Sequence, residues 1–585
     1  MKKIIARGAI LSVLLTGIGI SCKDQFLDVA PTGQLTVSNL NSLNGLEGLL
    51  IGAYAQLNGR GYSQTASSTN WVYGSIRGGE ANKGSNPGDF NAITPFQRYE
   101  VLPNNGELNA RWNNMYEGIS RANAVLRAIA NASSDVTAAA KQRISGEARF
   151  LRGHYYFELK RTFNMVPYVD ETVDYGTGIE KVPNNVDIWP KIEADFRYAF
   201  DNLPEVQTAV GRVNKWAAGA YLGKVFLYQQ KFTEAKNIFD QVIANGKTSN
   251  GTKYALVTNY ASLFTGENEV NSEIVFVTSN VANAGSSDAA SGDLNLNWPY
   301  NTGPAGPVGC CGFFQPSFDF ANSFRTNANG LPIDQAQANG AYDRPENELK
   351  TDMGLASSEP FTPDTRPVDP RLDHTVGRRG IPYLDWVIFP GQDWIRDQPF
   401  GGPYQNKKYV YTKAGESRLA DVSNWTKGWT GINVNLIRYA DVLLMAAETE
   451  IEAGSLTKAL EYVNMVRARA ANPINFVKLP NGQNAANYVI NPYPASAFAT
   501  KEAAREAVRF ERKLELGTEG HRYFDLLRWG LAAPVLNAYL AYESKKLPGG
   551  FAGAQFSPNQ DEYLPIPQTQ IDIQGANVLK QNPGY

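Results

Sequence analysis

The chain has 585 residues, 19% charged and 43% hydrophobic, a globular rather than a disordered composition. Lys and Arg total 55 against 57 Asp and Glu, so the net charge is −2 and no basic stripe argues for nucleic acid. The 3 cysteines include no Cys-x-x-Cys pair, which argues against a disulfide framework and a structural zinc.

In chain order, Met1-Lys2-Lys3 and Arg7 precede an apolar run from Gly8 to Ile20, then Ser21 and Cys22. The run is too short to span a bilayer comfortably. It has the layout of a bacterial export signal, residues 1–21, that ends at a lipidated cysteine. Small Ser21 lets a peptidase approach, and the Cys22 thiol can carry a diacylglycerol. Each buried CH₂ of an acyl chain contributes about 0.8 kcal/mol, so several chains make a stable anchor. Residues 22–40 then read as a tether.

Residues 41–265 read as helical. Leu46, Leu49, Leu50, Ala53 and Leu57 repeat at helical spacing, as do Trp112, Met115, Ile119, Ala122 and Leu126. From Asp135 to Phe163, Ala148, Leu151, Tyr155 and Leu159 make one face, and Arg149, Arg152, Tyr156 and Lys160 another. Pro167 ends that helix by restricting Val166. Leu222-Gly223 with Phe226, and Ala235 with Phe239, match the two helices of a tetratricopeptide unit. Gly223 permits close approach, and the two phenylalanines fill the seam.

Residues 266–431 are rich in Gly, Pro, Asn and aromatics and lack a helical period, apart from a short strand at 272–277. Cys310 and Cys311 are adjacent, either as thiols in a tight turn or as a strained local bridge. Helix pairing returns in 432–535, with Ser455 as an N-cap between Tyr439–Ala453 and Leu456–Ala471. Residues 536–585 are again irregular. The fold class is therefore mainly α: a tetratricopeptide-like helical scaffold interrupted by a long irregular insertion.

Several segments together resemble the SusD/RagB family of surface nutrient-binding lipoproteins. They are Glu147 to Phe157, Leu436 to Leu444, Glu511 to Gly530 and the tail from Tyr563 to Pro567 with Gln581 to Tyr585. Phe26-Leu27-Asp28 with Pro31, Asp369 to Asp373 and Gly380 to Trp386 fit as well. The resemblance implies a lipid-anchored, outward-facing protein of the outer membrane. It would cap a SusC-like TonB-dependent β-barrel transporter and pass it an oligosaccharide or, in some members, a peptide.

No catalytic constellation, cofactor motif or metal spacing accompanies this pattern. His154, His374 and His521 stand apart from one another in sequence, and Glu511, Arg512, Glu515, Glu519, Arg522, Asp525 and Arg528 fall at ion-pairing helical spacings. We read that run as structural and the protein as non-enzymatic. Sugars stack apolar C–H faces on aromatic rings and take hydrogen bonds from polar neighbours. Trp71, with Tyr73 and Asn82 of the loop Gly78 to Asp89, is the leading ligand candidate. Trp298 and Tyr300 in the insertion join it. The resemblance places a frequent Asp-Asp pair where this chain has Gly79-Glu80.

Overall fold

The computed structural model describes residues 37–59, 61–333 and 345–585. Cys22, the export signal and the tether up to residue 36 lie outside them. Among the described residues six long helices precede the irregular region: α1 (Leu43–Ala55), α2 (Gly106–Ala130), α3 (Ala138–Phe163), α4 (Trp189–Asn202), α5 (Lys215–Tyr228) and α6 (Phe232–Asn245). After it come α7 (Tyr439–Ala453), α8 (Leu456–Ala470), α9 (Lys501–Glu515), α10 (Arg522–Arg528) and α11 (Ala532–Lys546). Side-chain oxygens cap the starts of many of them. Thr137 accepts from the Ala140 N–H at 3.2 Å, Asn214 from Ala217 at 2.9 Å and Thr500 from Ala503 at 3.2 Å. Ser455 departs from expectation. It occupies the cap position of α8 but its side chain makes no capping bond, and its own N–H donates to Glu450 at 2.8 Å.

From α2 to α6 each helix packs on the next, and α7 continues the array by packing on α6. The irregular region is thus an excursion from an unbroken helical stack. A Cβ on Gly223 would stand 2.6 Å from the Phe239 ring, so only glycine lets α5 and α6 close to this distance. Helix α3 sits at the centre of its neighbours and is buried all round from Glu147 to Phe163, except for Arg149. The second face is therefore interior too, at Arg152, Tyr156 and Lys160. Arg152 is tolerated there because Asp195 accepts two hydrogen bonds from it, both at 2.8 Å. The chain leaves the helix at Asn164, with φ 62°, ahead of Pro167. The C-terminal tail then closes that end: the Asn582 amide donates to the Phe163 carbonyl at 2.9 Å and to Leu564 at 2.7 Å.

Short antiparallel pairs tie the irregular region to the scaffold. β1 (Ala81–Gly84) pairs with β3 (Phe313–Pro316), and β2 (Ile274–Thr278) with β4 (Val434–Arg438). Its aromatics divide between two cores. Phe313, Phe318 and Phe320 join the main core, whereas Trp298, Tyr383, Trp386, Trp394 and Tyr411 form a second cluster with Tyr260. Cys310 and Cys311 are joined as a disulfide.

The charged run of α9 and α10 lies in the interior, and most of it is ion-paired. Glu515 receives Arg371 at 2.9 Å, Arg438 at 2.6 Å and also Arg469. Glu511 receives Arg371 at 2.7 Å and Arg467 at 2.8 Å. Arg438 reaches on to Glu273 at 2.7 Å and Glu519 at 2.8 Å. Burial alone would raise the Glu515 carboxyl, but Arg469, Arg438 and Arg371 hold it well below the usual carboxylate range. This array links α8, α9, β4 and the Asp369 to Asp373 turn. All three histidines are interior as well, and burial lowers each to about 4. Among the described residues no helix is long and apolar enough to cross a membrane.

Candidate functional site

The structure places most of the sequence-derived ligand candidates in the interior. Trp71 is 2% exposed; its indole N–H donates to the Gln64 carbonyl at 2.8 Å and its ring meets Phe314 edge-on. Tyr73 is fully buried under Arg111, and its hydroxyl donates to the Glu107 carbonyl at 2.9 Å. Asn82 lies in β1 and donates to Gly401 at 3.0 Å. Trp298 packs against Tyr411 with ring centroids 4.6 Å apart. Glu80 is interior too: burial raises it to about 7, and it accepts the Thr518 N–H at 3.0 Å. These side chains are occupied in packing, so they are not surface platforms. The physical reason is common to all: a large ring or an amide whose polar atom finds a backbone partner is stable inside.

Tyr300 is different. Its ring is half-exposed, and the Arg396 guanidinium carbon lies 4.9 Å from the ring centroid. Three distant loops meet here. The Tyr300 N–H donates to the Trp394 carbonyl at 3.0 Å, which fixes the aromatic loop to the Arg396 loop. Gly312 sits between the two side chains: a Cβ there would lie 3.4 Å from Tyr300 and 3.6 Å from Arg396. Arg396 is held in turn by the Ser85 hydroxyl at 2.9 Å and by the Asp89 carboxylate.

Buried Lys83 builds the third loop. Its ammonium donates to the carbonyls of Asn86 at 2.7 Å and Asp89 at 2.6 Å. Burial lowers it to about 8, with Asp89 pulling the other way. Asn86 accepts the N–H groups of Gly88 at 3.0 Å and Asp89 at 2.9 Å. Of the loop Gly78 to Asp89, only Asn86 to Asp89 reach solvent. The result is a rigid polar rim beside one half-exposed aromatic ring, with the half-exposed Cys310 on the adjoining turn. The arrangement can stack a flat apolar face and bond the hydroxyls around it. Among the described residues no cluster of His, Cys, Asp and Glu is arranged to hold a metal ion.

Arg396 was not singled out from sequence, because nothing local in Asp393-Trp394-Ile395-Arg396 distinguishes it from other surface arginines. Tyr62 was missed as well. It is 41% exposed and divides two recesses, one of about 90 Å³ with Trp429 and Asp293, the other of about 360 Å³ with Trp112, Tyr116 and Glu117.

A SusD family model matches residues 272–585, and a model described as starch-binding associating with outer membrane matches residues 25–227. The chain is 25% identical to SusD-like protein P2 of Formosa agariphila over 582 residues, 98% of each protein. It is 28% identical to a SusD-like protein of Bacteroides ovatus over 43% of this chain and 46% of that one. Its fold superposes on a SusD superfamily protein from Bacteroides vulgatus with a TM-score of 0.66 and 20% identity, over 93% of this chain and 99% of that one. A surface glycan-binding protein A from Bacteroides thetaiotaomicron, solved in complex with laminarihexaose, gives a TM-score of 0.62 at 20% identity over 92% and 99%. At these identities the superpositions speak for the fold.

Proposed function

The chain belongs to the SusD family, and from that premise we propose that it is a non-enzymatic glycan-binding protein whose ligand surface is centred on Tyr300, Arg396 and Asp89. The observation that carries this reading is the half-exposed Tyr300 ring set against a guanidinium that Asp89 and Ser85 hold in place. A preorganised ring and rim lose little freedom when a sugar binds. Relatives in the same fold are described as glycan-binding, and one was solved with a glucose oligosaccharide. The protein would be anchored through a lipid on Cys22, face the cell exterior, and deliver its ligand to a SusC-like TonB-dependent barrel. The export-signal layout of residues 1–22 and the outer-membrane description of the matching N-terminal family model support that placement.

The test is an array of oligosaccharides, laminarihexaose among them, set beside a peptide library, with wild type and Tyr300→Ala. Tyr300→Ala is expected to weaken glycan binding by about 1–3 kcal/mol, by analogy with base stacking on aromatics, while melting is unchanged. Binding of peptides and of no glycan would overturn the reading.

A further inference from the structure

A cavity of about 240 Å³ opens on the helical scaffold, away from the residues of the Tyr300 surface. It is lined by residues of α5, α6, α7, α9 and α10, by Gln230 in the turn after α5 and by Trp529 just after α10. Its charged wall holds three arginines and two glutamates. Arg505 pairs with both oxygens of Glu452, at 2.6 and 2.8 Å. Arg528 pairs with both oxygens of Glu448, each at 2.6 Å, and the Trp529 indole N–H adds a third bond to that carboxylate at 2.9 Å. Both glutamates are therefore committed.

Arg509 follows Arg505 by one helical turn and so shares its face of α9. Its guanidinium lies 5.2 Å from the Trp529 ring centroid. Among the described residues it makes no hydrogen bond and no ion pair. Burial lowers its pKa from the ordinary value, with Glu448 pulling the other way. No acceptor of the described protein takes its donors, which are half-buried and stay open to an incoming acceptor. The neighbouring guanidiniums show what would match it: two acceptor oxygens of one anionic group, reached by two N–H donors at once.

We propose that this cavity is a second ligand site, one that takes a monoanionic oxyanion group, a carboxylate or a sulfate ester, on a small polar molecule through a bidentate contact with Arg509. The surroundings of Arg509 argue for a single negative charge. Arg528 also meets Asp525 at 2.8 Å and Arg505 meets Glu502 at 3.4 Å, so Arg509 alone of the three lining guanidiniums has no carboxylate partner, and a dianion beside it would meet repulsion from Glu448 and Glu452. Phe232, Leu227 and Ile451 supply an apolar floor for the body of the ligand.

The experiment is calorimetric titration of the full chain with glucuronate, glucose 6-sulfate and glucose at low ionic strength, since salt screens such contacts. At least one of the two anions is expected to bind about tenfold more tightly than glucose, a gap of about 1.4 kcal/mol. Which of the two binds identifies the source of the oxyanion. Arg509→Gln is expected to remove that preference with the melting temperature unchanged, and Arg509→Lys to restore only part of it. Wild type that binds neither anion, or binds glucose equally well, overturns the proposal without any variant. Arg509→Gln that folds and keeps the preference overturns it too. None of these outcomes bears on Tyr300, so the two sites stand or fall separately.

Discussion

A tryptophan and a tyrosine a few ångströms beneath or upon the same surface are chemically alike, and what separates their roles is which atoms already have partners. Trp71 has spent its N–H on Gln64 and its ring on Phe314. Trp71→Ala should therefore cost about 3–5 kcal/mol of stability and lower the melting temperature strongly, whereas Tyr300→Ala should leave it nearly unchanged. Equal melting of the two variants would contradict the assignment. Glu543 makes a second case at this scale. Burial raises it from 4.5 to about 8, against a hydrogen bond from the Asp319 N–H at 2.8 Å. A raised folded pKa means that its stabilisation is complete below the unfolded value and is lost as pH rises toward 8. Glu543→Gln escapes that loss. Relative to wild type it should gain up to about 1.4 kcal/mol for each pH unit across this window, read as a difference in melting temperature that grows between pH 5 and pH 8. A difference that stays constant would show that Glu543 ionises freely in the folded protein.

Among the elements, the ion-pair array behind α9 has the most leverage. Glu515 answers three arginines at once, with its side chain fully buried. Glu515→Gln leaves those guanidiniums short of one charge, and should cost about 3–5 kcal/mol in urea denaturation, with binding at Tyr300 preserved in whatever fraction remains folded. A loss below about 1 kcal/mol would place this pair in the class of surface salt bridges. This array also marks how far the sequence could be read. Helical period and the i, i+3 and i+4 charges of Glu511 to Arg528 were legible, because a helix imposes its spacing on the chain. Gly223 was legible for the same reason: close helix packing has a known place for a small residue. The irregular region has no such period. Nothing local told Trp298, which fills a core, from Tyr300, which does not, because that choice is made by Trp394, Gly312 and Tyr411 far along the chain. The second face of α3 was legible as a stripe, but not its burial, since that depends on Asp195 of α4 neutralising Arg152.

At the scale of the whole molecule, the helical stack offers a packed body, and the loops that meet at Tyr300 carry the proposed binding surface. A soluble receptor of this kind would lose its captured ligand to diffusion. One held beside a transporter raises the local concentration of ligand at the entrance, and a tether sets that concentration through its length. Residues 22–40 would supply such a tether, and Cys22 its lipid. Two acyl chains or more are needed for an anchor that does not readily dissociate. The prediction is that wild type labels with radioactive fatty acid and, after crosslinking on intact cells and detergent extraction, is recovered with a large β-barrel. Cys22→Ser should lose the label and the barrel together while keeping its oligosaccharide affinity, because the Tyr300 surface does not depend on the anchor. Label retained in Cys22→Ser would refute lipidation at this residue. Wild type recovered only as monomer, under conditions that preserve other membrane complexes, would refute the partnership and leave a glycan-binding protein that works alone.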